Sequence, residues 1–545
     1  MTASPITWAV EADFDMGGSY ETALGGYVNR ASKVVIDCGM NDQGVYQVSK
    51  VNIGLNNQTG DFTPENSAGA FYGLLRPDVP VRITGTHLGI AYTLWTGYAM
   101  RWKAERFSIG EGRAGVECQD LAAYLKNITG IDVLLSTSRD TAGAITAIAT
   151  AAGLVGGDLS LDDGAQDLPY HWVRNQDALT AMIEAAQSEM GGYLWVNAAG
   201  QVRFENRTSR LGTTPDDTWG DGTNIQPEEI QYELVDQDTI TSSSVQATIY
   251  ATGQADQELL RFDRNMFHRP DANSILIPAG GRYGPVDLDY VGFAAAAALT
   301  TPVEYTDYTG NLAIDGSSTD KTTSLSPVVV DLGAAARLYI DNTDLSNGVY
   351  VTAFRLRGQV ADFARETPSY VFTKSVPLVK ALRGFQTKVP FATDTSKVRD
   401  FAYGILRTYR LPYPRLTLDF PWDNDDTIAA MLAVELGQLI AFDDTDANPY
   451  GSCVNDWWYV EKRRHTIRPD GAGGVNRSQI TLLPSYLYRN LEAIAYDLFT
   501  RDDVVGDLGT STSEDTWASD SGFDISANKA RPNAAALQTP YVSIA

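Results

Sequence analysis

The sequence predicts a mainly β, multidomain protein: two β-barrels related by internal duplication, with α+β and β-rich modules inserted between them. Three observations carry that expectation. At 545 residues the chain exceeds what one core organises, and 43% hydrophobic against 20% charged residues makes it globular rather than disordered. Its 48 Gly, 27 Tyr and 10 Trp suit short strands joined by frequent turns. Finally, one order of strands and turns occurs near both ends of the chain.

The first region, 1–127, reads as short strands. ITWAVEADF and KVVIDCGM frame the glycine-rich MGGSYETALGGY, and GVYQVSKVNIGL, a long polar loop and VPVRIT follow. Along Tyr92–Trp102, the residues Tyr92, Leu94, Tyr98, Met100 and Trp102 fall at period two, which predicts one face of a strand. GEGRAG (110–115) matches the GxGxxG of dinucleotide-binding loops. Such a loop must follow a strand and open a helix, whereas Val116–Gln119 alternates as a strand does, so the glycines are read as a hairpin turn. Asp120 is placed to cap a short helix presenting Leu121, Tyr124 and Leu125.

Region 128–210 reads as a small α+β module. Ile145, Ile148 and Ala152 have helical spacing closed by Gly153, and Asp177–Met190 carries the stripe Leu179, Met182, Ile183, Ala186 before Gly191-Gly192. YLWV, the turn NAAG and QVRF predict a hairpin. Region 211–385 is a strand-like, loop-rich insertion. Region 386–490 holds a helix at Lys397–Tyr409, stopped by Pro412 and Pro414, then strands up to Pro484 that make the second barrel. Residues 491–545 form a polar arm.

The repeat is one of pattern. VPVRI (79–83) precedes the strand at Trp95, and Val116 lies 21 residues further on; GQLIAF (437–442) precedes WWYVEKRR, and Ile480 lies 22 residues beyond Trp458. On this alignment Tyr98 and Tyr459 occupy equivalent places.

Chemistry is sparse. His87, His171, His268 and His465 are scattered without HxH or HxxxH spacing, and GxSxG, HExxH, GxxxxGK[ST] and CxxC do not occur. Asp444–Asn448 imitates the start of a calcium loop, but Pro449 replaces the required Gly and Asn455 the bidentate Glu, so it reads as an acidic turn. Asp423/Asp425 and Asp162/Asp163 could serve a glycosidase, yet such pairs are expected by chance among 68 acidic residues. Cys38 and Cys118 read as buried thiols, and with Cys453 they give no disulfide framework. No catalytic, metal-ligating or cofactor-binding residue is assigned, and no cofactor is expected. The formal charge of −26 disfavours a nucleic-acid groove or an anionic membrane surface. No signal peptide is visible, and the run Val291–Leu299 is about half a membrane span, so no membrane embedding is expected.

Several segments together resemble a known family. TLWTGYAMRW followed by GVECQDLAAYL resembles the strand, F/W-x-G-hydrophobic and strand-into-helix segment of phage tail-hub proteins. LTAMIEAAQSEMGGYLWVNAAGQVRFENR resembles their helix-plus-hairpin module, and VELGQLIAF, DWWYVEKRRHTI and SQITLLPSYL their closing barrel. The likeness covers Trp8–Tyr488 in patches, and 211–385 departs from the shorter family pattern. The end, DLFTRDDVVGDLGTSTSEDTWASDSGFDISANKARP, resembles the opening strands of a lectin-like sandwich. The resemblance implies a structural, non-enzymatic baseplate-hub or minor tail protein with tube-type barrels, made in the host cytoplasm and placed at the tail tip of the virion. A homotrimer would present six barrels as a near-sixfold ring. Implied partners are the distal tail protein and tail tube, a tape-measure protein in the lumen, and tip or receptor-binding proteins, without sequence-specific nucleic acid. The competing reading is a carbohydrate-active enzyme or carbohydrate-binding adhesin acting on the host surface.

Overall fold

The structure is a computed structural model. It describes residues 6–488 apart from 29–32, 41–45, 109–110, 236–239, 254, 264–274, 291–294, 334, 364–368, 374–382, 393–394, 410–411, 445–455 and 469–475. The C-terminal arm, the acidic turn up to Asn455, His268 and Cys453 therefore lie outside the described residues.

The N-terminal region supplies β1 (Thr7–Ala12), β2 (Val34–Met40), β3 (Lys50–Asn56), β4 (Val79–His87), β5 (Ile90–Ser108) and β6 (Glu111–Gln119). Alternation sets their faces: along β4, Val79, Val81 and Ile83 point inward. The first sheet runs Thr22–Ala23, β1, β4, β5, β6, β3, antiparallel throughout, and an isolated bridge from Val28, five residues beyond Ala23, to Leu55 of β3 brings the chain after one end of the sheet against the other end. β2 leaves this sheet and pairs with a strand near the other end of the chain.

α1 (Leu121–Asn127), α2 (Thr141–Ala151) and α3 (Ala178–Ser188) follow, then the hairpin β7 (Tyr193–Val196) and β8 (Val202–Glu205). Each helix begins at a carboxylate cap: Asp120, Asp140 and Asp177 accept backbone N–H groups of the first turn. Leu121, Ile145, Ile148, Met182 and Phe204 share the core of this module.

Further on come β9 (Asp217–Gly220), β10 (Glu229–Val235), β11 (Ser242–Thr252), β12 (Val349–Phe363), β13 (Gly384–Ala392), α4 (Thr395–Tyr409), β14 (Tyr413–Pro421), α5 (Asp425–Ala433), β15 (Leu439–Asp443), β16 (Asp456–Ile467) and β17 (Arg477–Pro484). The second sheet runs β9, β15, β16, β17, β14, β10, with β2 added on β16. So β2, from the N-terminal region, and β9 and β10, from the middle region, are built into it. The strands around β12 and a separate three-stranded sheet, Arg282–Asp289, Ala335–Asn342 and Leu325–Asp331, enclose a core of their own that includes Leu259, Ile340, Phe354 and Leu356. Part of the alanine run becomes the strand Ala295–Thr300.

Two expectations need correction. The stretch from Pro414 to Pro484 is not strands alone, because α5 intervenes. Asn424 accepts the Thr427 N–H at 2.8 Å, Asp425 and Asp426 sit in the positively polarised first turn, and Ile428, Met431 and Leu432 are buried. The helix is short, so its apolar stripe was masked by the strand pattern on either side. Nor do Tyr92, Leu94, Tyr98, Met100 and Trp102 share one face. β5 breaks register between Ile83 and Thr84 of its β4 partner, and again between Ala99 and Arg101. Each extra residue reverses the inward parity. Leu94 and Trp102 thus meet the core between the sheets, while Tyr98 packs on the helical module.

The two sheets share one hydrophobic core. Val81, Ile83, Trp95 and Val116 of the first join Leu418, Trp458 and Ile480 of the second, with Ile428 of α5 and a Trp8–Trp422 stack at 5.5 Å between ring centres.

Candidate functional site

The feature that distinguishes this molecule is a duplicated unit. β3, β6, β5, β4 and β14, β17, β16, β15 are adjacent in the same order, and each set is antiparallel. β5 and β16 each carry a bulge, against β6 and β17 respectively: Met100 opposite Cys118/Glu117, and Glu461 opposite Leu482/Thr481. Tyr98 stands two residues before one bulge and Tyr459 two before the other. Tyr98 is registered with Pro80 and Gln119, Tyr459 with Leu439 and Leu483. β6 and β17 each lead into helical backbone, as α1 and at 485–488. Tyr124, five residues after Gln119, lies against Tyr98 at 5.1 Å; Tyr488, five residues after Leu483, lies against Tyr459 at 5.0 Å. A bulge, a strand tyrosine and a helix tyrosine therefore recur in matching registration. The flanks differ: β1 runs antiparallel to β4, and β9 parallel to β15.

Gly97 shows why the first motif needs glycine. A Cβ there would lie 2.4 Å from the Gln119 carbonyl oxygen and 2.4 Å from the Trp95 ring. Without one, the Trp95 indole folds over its own strand and donates to Ser49 Oγ at 3.1 Å.

Charged groups buried at the junctions lock these parts together. Asp120, 2% exposed, accepts Tyr46 Oη at 2.6 Å, the Ser49 N–H at 2.7 Å and the Ala122 and Ala123 N–H groups. Burial raises its pKa and these four donors pull it back. Arg463, 2% exposed, donates to the carbonyls of Val434 at 2.7 Å and Leu94 at 3.3 Å, which ties β16 to β5 of the other sheet, with Glu435 at 3.4 Å. Arg210 is enclosed by Glu205 at 3.1 Å, Glu461 and the rings of Tyr193, Tyr488 and Tyr459, at 3.8, 4.8 and 5.5 Å. Burial opposes its charge, but Glu461, Tyr488 and Glu205 outweigh that and hold its pKa well above the ordinary value. Tyr488 also donates to Glu461, the bulge residue of β16. No motif or spacing points to this cluster, whose members come from four separate segments.

The residues considered for chemistry do not converge. His87, His171 and His465 are each buried in separate places. His465 Nδ1 meets Ser478 Oγ at 2.7 Å, and Ser478 also accepts from Trp422 Nε1. Burial, with Arg463 nearby, lowers the His465 pKa to about 3. Asp425 Oδ1 is 3.4 Å from His87 Nε2, while Asp162 is paired with Arg203 at 2.7 Å. Among the described residues, no three His, Cys, Asp or Glu side chains are grouped to hold a metal. Cys38 and Cys118 are free, buried thiols. Glu111–Gly115 of GEGRAG are not a turn but the first residues of β6, which pairs back on β5 with Ser108 registered on Glu111, so the segment opens a strand and no helix N-terminus faces a phosphate. A cleft of about 270 Å³ between the α+β module and the second sheet is lined by Trp195, Arg203, Glu205, Asp216 and Glu435. Its charges are engaged: Arg203 with Asp162 and Glu205, Asp216 with the Leu439 N–H, Glu435 with the Ala198 N–H. Among the described residues, no helix is long and apolar enough to cross a membrane.

No protein-family model matches the chain, and no curated protein matches it in sequence. Among solved structures it is similar to the tail protein from Neisseria meningitidis MC58, with 11% identity over 89% of this chain and 99% of that one and a TM-score of 0.45. It is also similar to the 43 kDa tail protein of prophage MuSo2 from Shewanella oneidensis, with 9% identity, coverage of 89% and 99%, and a TM-score of 0.44. A third is prophage tail protein gp18 from Listeria monocytogenes EGD-e, with 9% identity, coverage of 91% and 100%, and a TM-score of 0.37. Tail proteins are thus among the solved structures to which this mainly β, multi-sheet chain is similar, and a tail-hub family is what its sequence motifs resemble.

Proposed function

We propose that this protein is a structural tail-hub subunit, three copies of which form a ring with near-sixfold symmetry that closes a phage tail tube. The duplicated unit carries this reading. Two equivalent strand sets in one rigid core let three chains offer six similar surfaces to a sixfold neighbour while remaining threefold for a tip below. In this reading residues 1–127 and 386–490, completed by β9 and β10, make the ring. Regions 128–210 and 211–385 project from it, and 491–545 is a peripheral arm. The ring touches the distal tail protein and tube on one side and tip or receptor-binding proteins on the other, with the tape-measure protein in its lumen, at the tail tip of the virion. The work is mechanical and uses no catalytic residue, cofactor or metal.

Native mass spectrometry of the full chain at micromolar concentration, followed by electron microscopy, tests this. Trimers with six similar densities around the axis are expected. A hexamer of whole chains, or a monomer at every concentration, overturns it. Release of reducing sugar from bacterial cell walls, abolished by replacing a carboxylate, would overturn it in favour of a carbohydrate-active enzyme.

A further inference from the structure

We propose that the open edge of β5 over Arg101–Ser108 is a docking site for a β-strand from a second copy of this chain. The inference rests on the ring reading and names the contact that would close it. The duplicated unit provides the template. Beyond its bulge, β16 is flanked on both sides: by β17, and by β2, whose Val34–Gly39 pair antiparallel with Ile467–Lys462. Beyond its own bulge, β5 is paired by β6 alone, because β4 reaches no further than Ala99. Among the described residues, no strand lies on the other side of Arg101–Ser108. Among the described residues, the place that β2 fills in the second sheet thus holds no strand in the first, only the Arg76 carbonyl that accepts from Trp102 Nε1 at 2.9 Å.

The side chains match as well as the backbone. The first and third residues after the β16 bulge are the exposed cations Lys462 and Arg464, and Lys462 Nζ reaches Asp37 of β2 at 3.3 Å. The first and third after the β5 bulge are Arg101 and Lys103, 59% and 38% exposed. Both lean on one carboxylate, Glu117, while Glu105 on the same face is registered with Arg113, so these three cations and two carboxylates leave one positive charge over at this edge. The chain as a whole carries −26, which makes a strand of a second copy, bearing a carboxylate where β2 bears Asp37, the complementary occupant. On the inner face Trp102 continues the shared core up to this edge. An open edge of this length is a template for pairing, and strand addition satisfies its N–H and C=O groups. A contact between unlike faces of successive copies closes into a ring.

Hydrogen exchange of the full chain, dilute and concentrated, tests the site directly. Amides of 101–105 that face the open edge should become protected only in the assembled form. Lys103→Pro and Ala104→Pro form a matched pair, because successive residues of an antiparallel strand present their N–H groups to opposite edges. One proline breaks the β5–β6 hairpin; the other meets only the open edge. The variant that keeps the wild-type monomer melting temperature should self-associate at least tenfold more weakly. Wild-type association of that variant, or trimers whose 101–105 amides exchange as fast as in the monomer, would overturn the strand site and leave the ring standing. Absence of any self-association by the wild type would overturn both.

Discussion

Arg210 and His465 show how single residues set the stability of this molecule. Arg210 is buried between two carboxylates and three tyrosine rings. Removing one partner of such a group leaves uncompensated charge in a low-dielectric site, so Arg210→Met should cost about 3–5 kcal/mol in urea denaturation. Replacing Glu205 and Glu461 by Gln in the same chain should recover part of the loss. No recovery would mean that the rings, rather than the charges, hold the arginine. His465 gives a pH dependence. Folded it titrates at about 3, against about 6.5 for an exposed histidine. Between those values the unfolded chain binds the extra proton. The contribution of neutral His465 is therefore complete above about pH 6.5 and is lost progressively as pH falls toward 3. His465→Gln lacks that proton-linked loss. The melting-temperature gap between wild type and variant should narrow from pH 7 to pH 4; a gap that stays constant would show that His465 does not titrate as inferred.

Elements were legible to different degrees, and the reason is local. α1 was legible through the Asp120 cap and an apolar face, and α2 and α3 through apolar stripes closed by glycine, all properties of neighbouring residues, whereas the caps Asp140 and Asp177 emerged only in the structure. α5 was hidden although its cap is as well formed. Asn424→Ala should cost about 1 kcal/mol by loss of the bond to the Thr427 N–H, measured as a shift in the denaturation midpoint. A change below a few tenths of a kcal/mol would place the start of α5 elsewhere. The faces of β5 were misjudged for a different reason. A bulge inserts a residue without a sequence signature, so strict period two continued on paper where the strand had reversed its parity. Gly97, within the motif that suggested the family, was readable as a glycine but not as the point where Trp95 and the Gln119 carbonyl converge.

At the scale of the whole molecule, residues 497–545 are rich in Asp, Ser and Thr, and we propose that they are peripheral to the rest. Deleting 497–545 should leave the rest folded and self-associating, judged by melting temperature and native mass; loss of soluble protein would make the arm part of the core or the interface. The β-rich class, the helical module, the hairpin around GEGRAG and the order of strands in two similar units were legible from the residues alone. All of these depend on periodicity, caps and turn residues within a short window. Long-range packing set the rest: β2 crosses to the second sheet, β9 and β10 complete it, both sheets share one core, and Arg210 meets Glu461. Those contacts join segments hundreds of residues apart, selected by burial and charge compensation, which leave no period in the sequence to read.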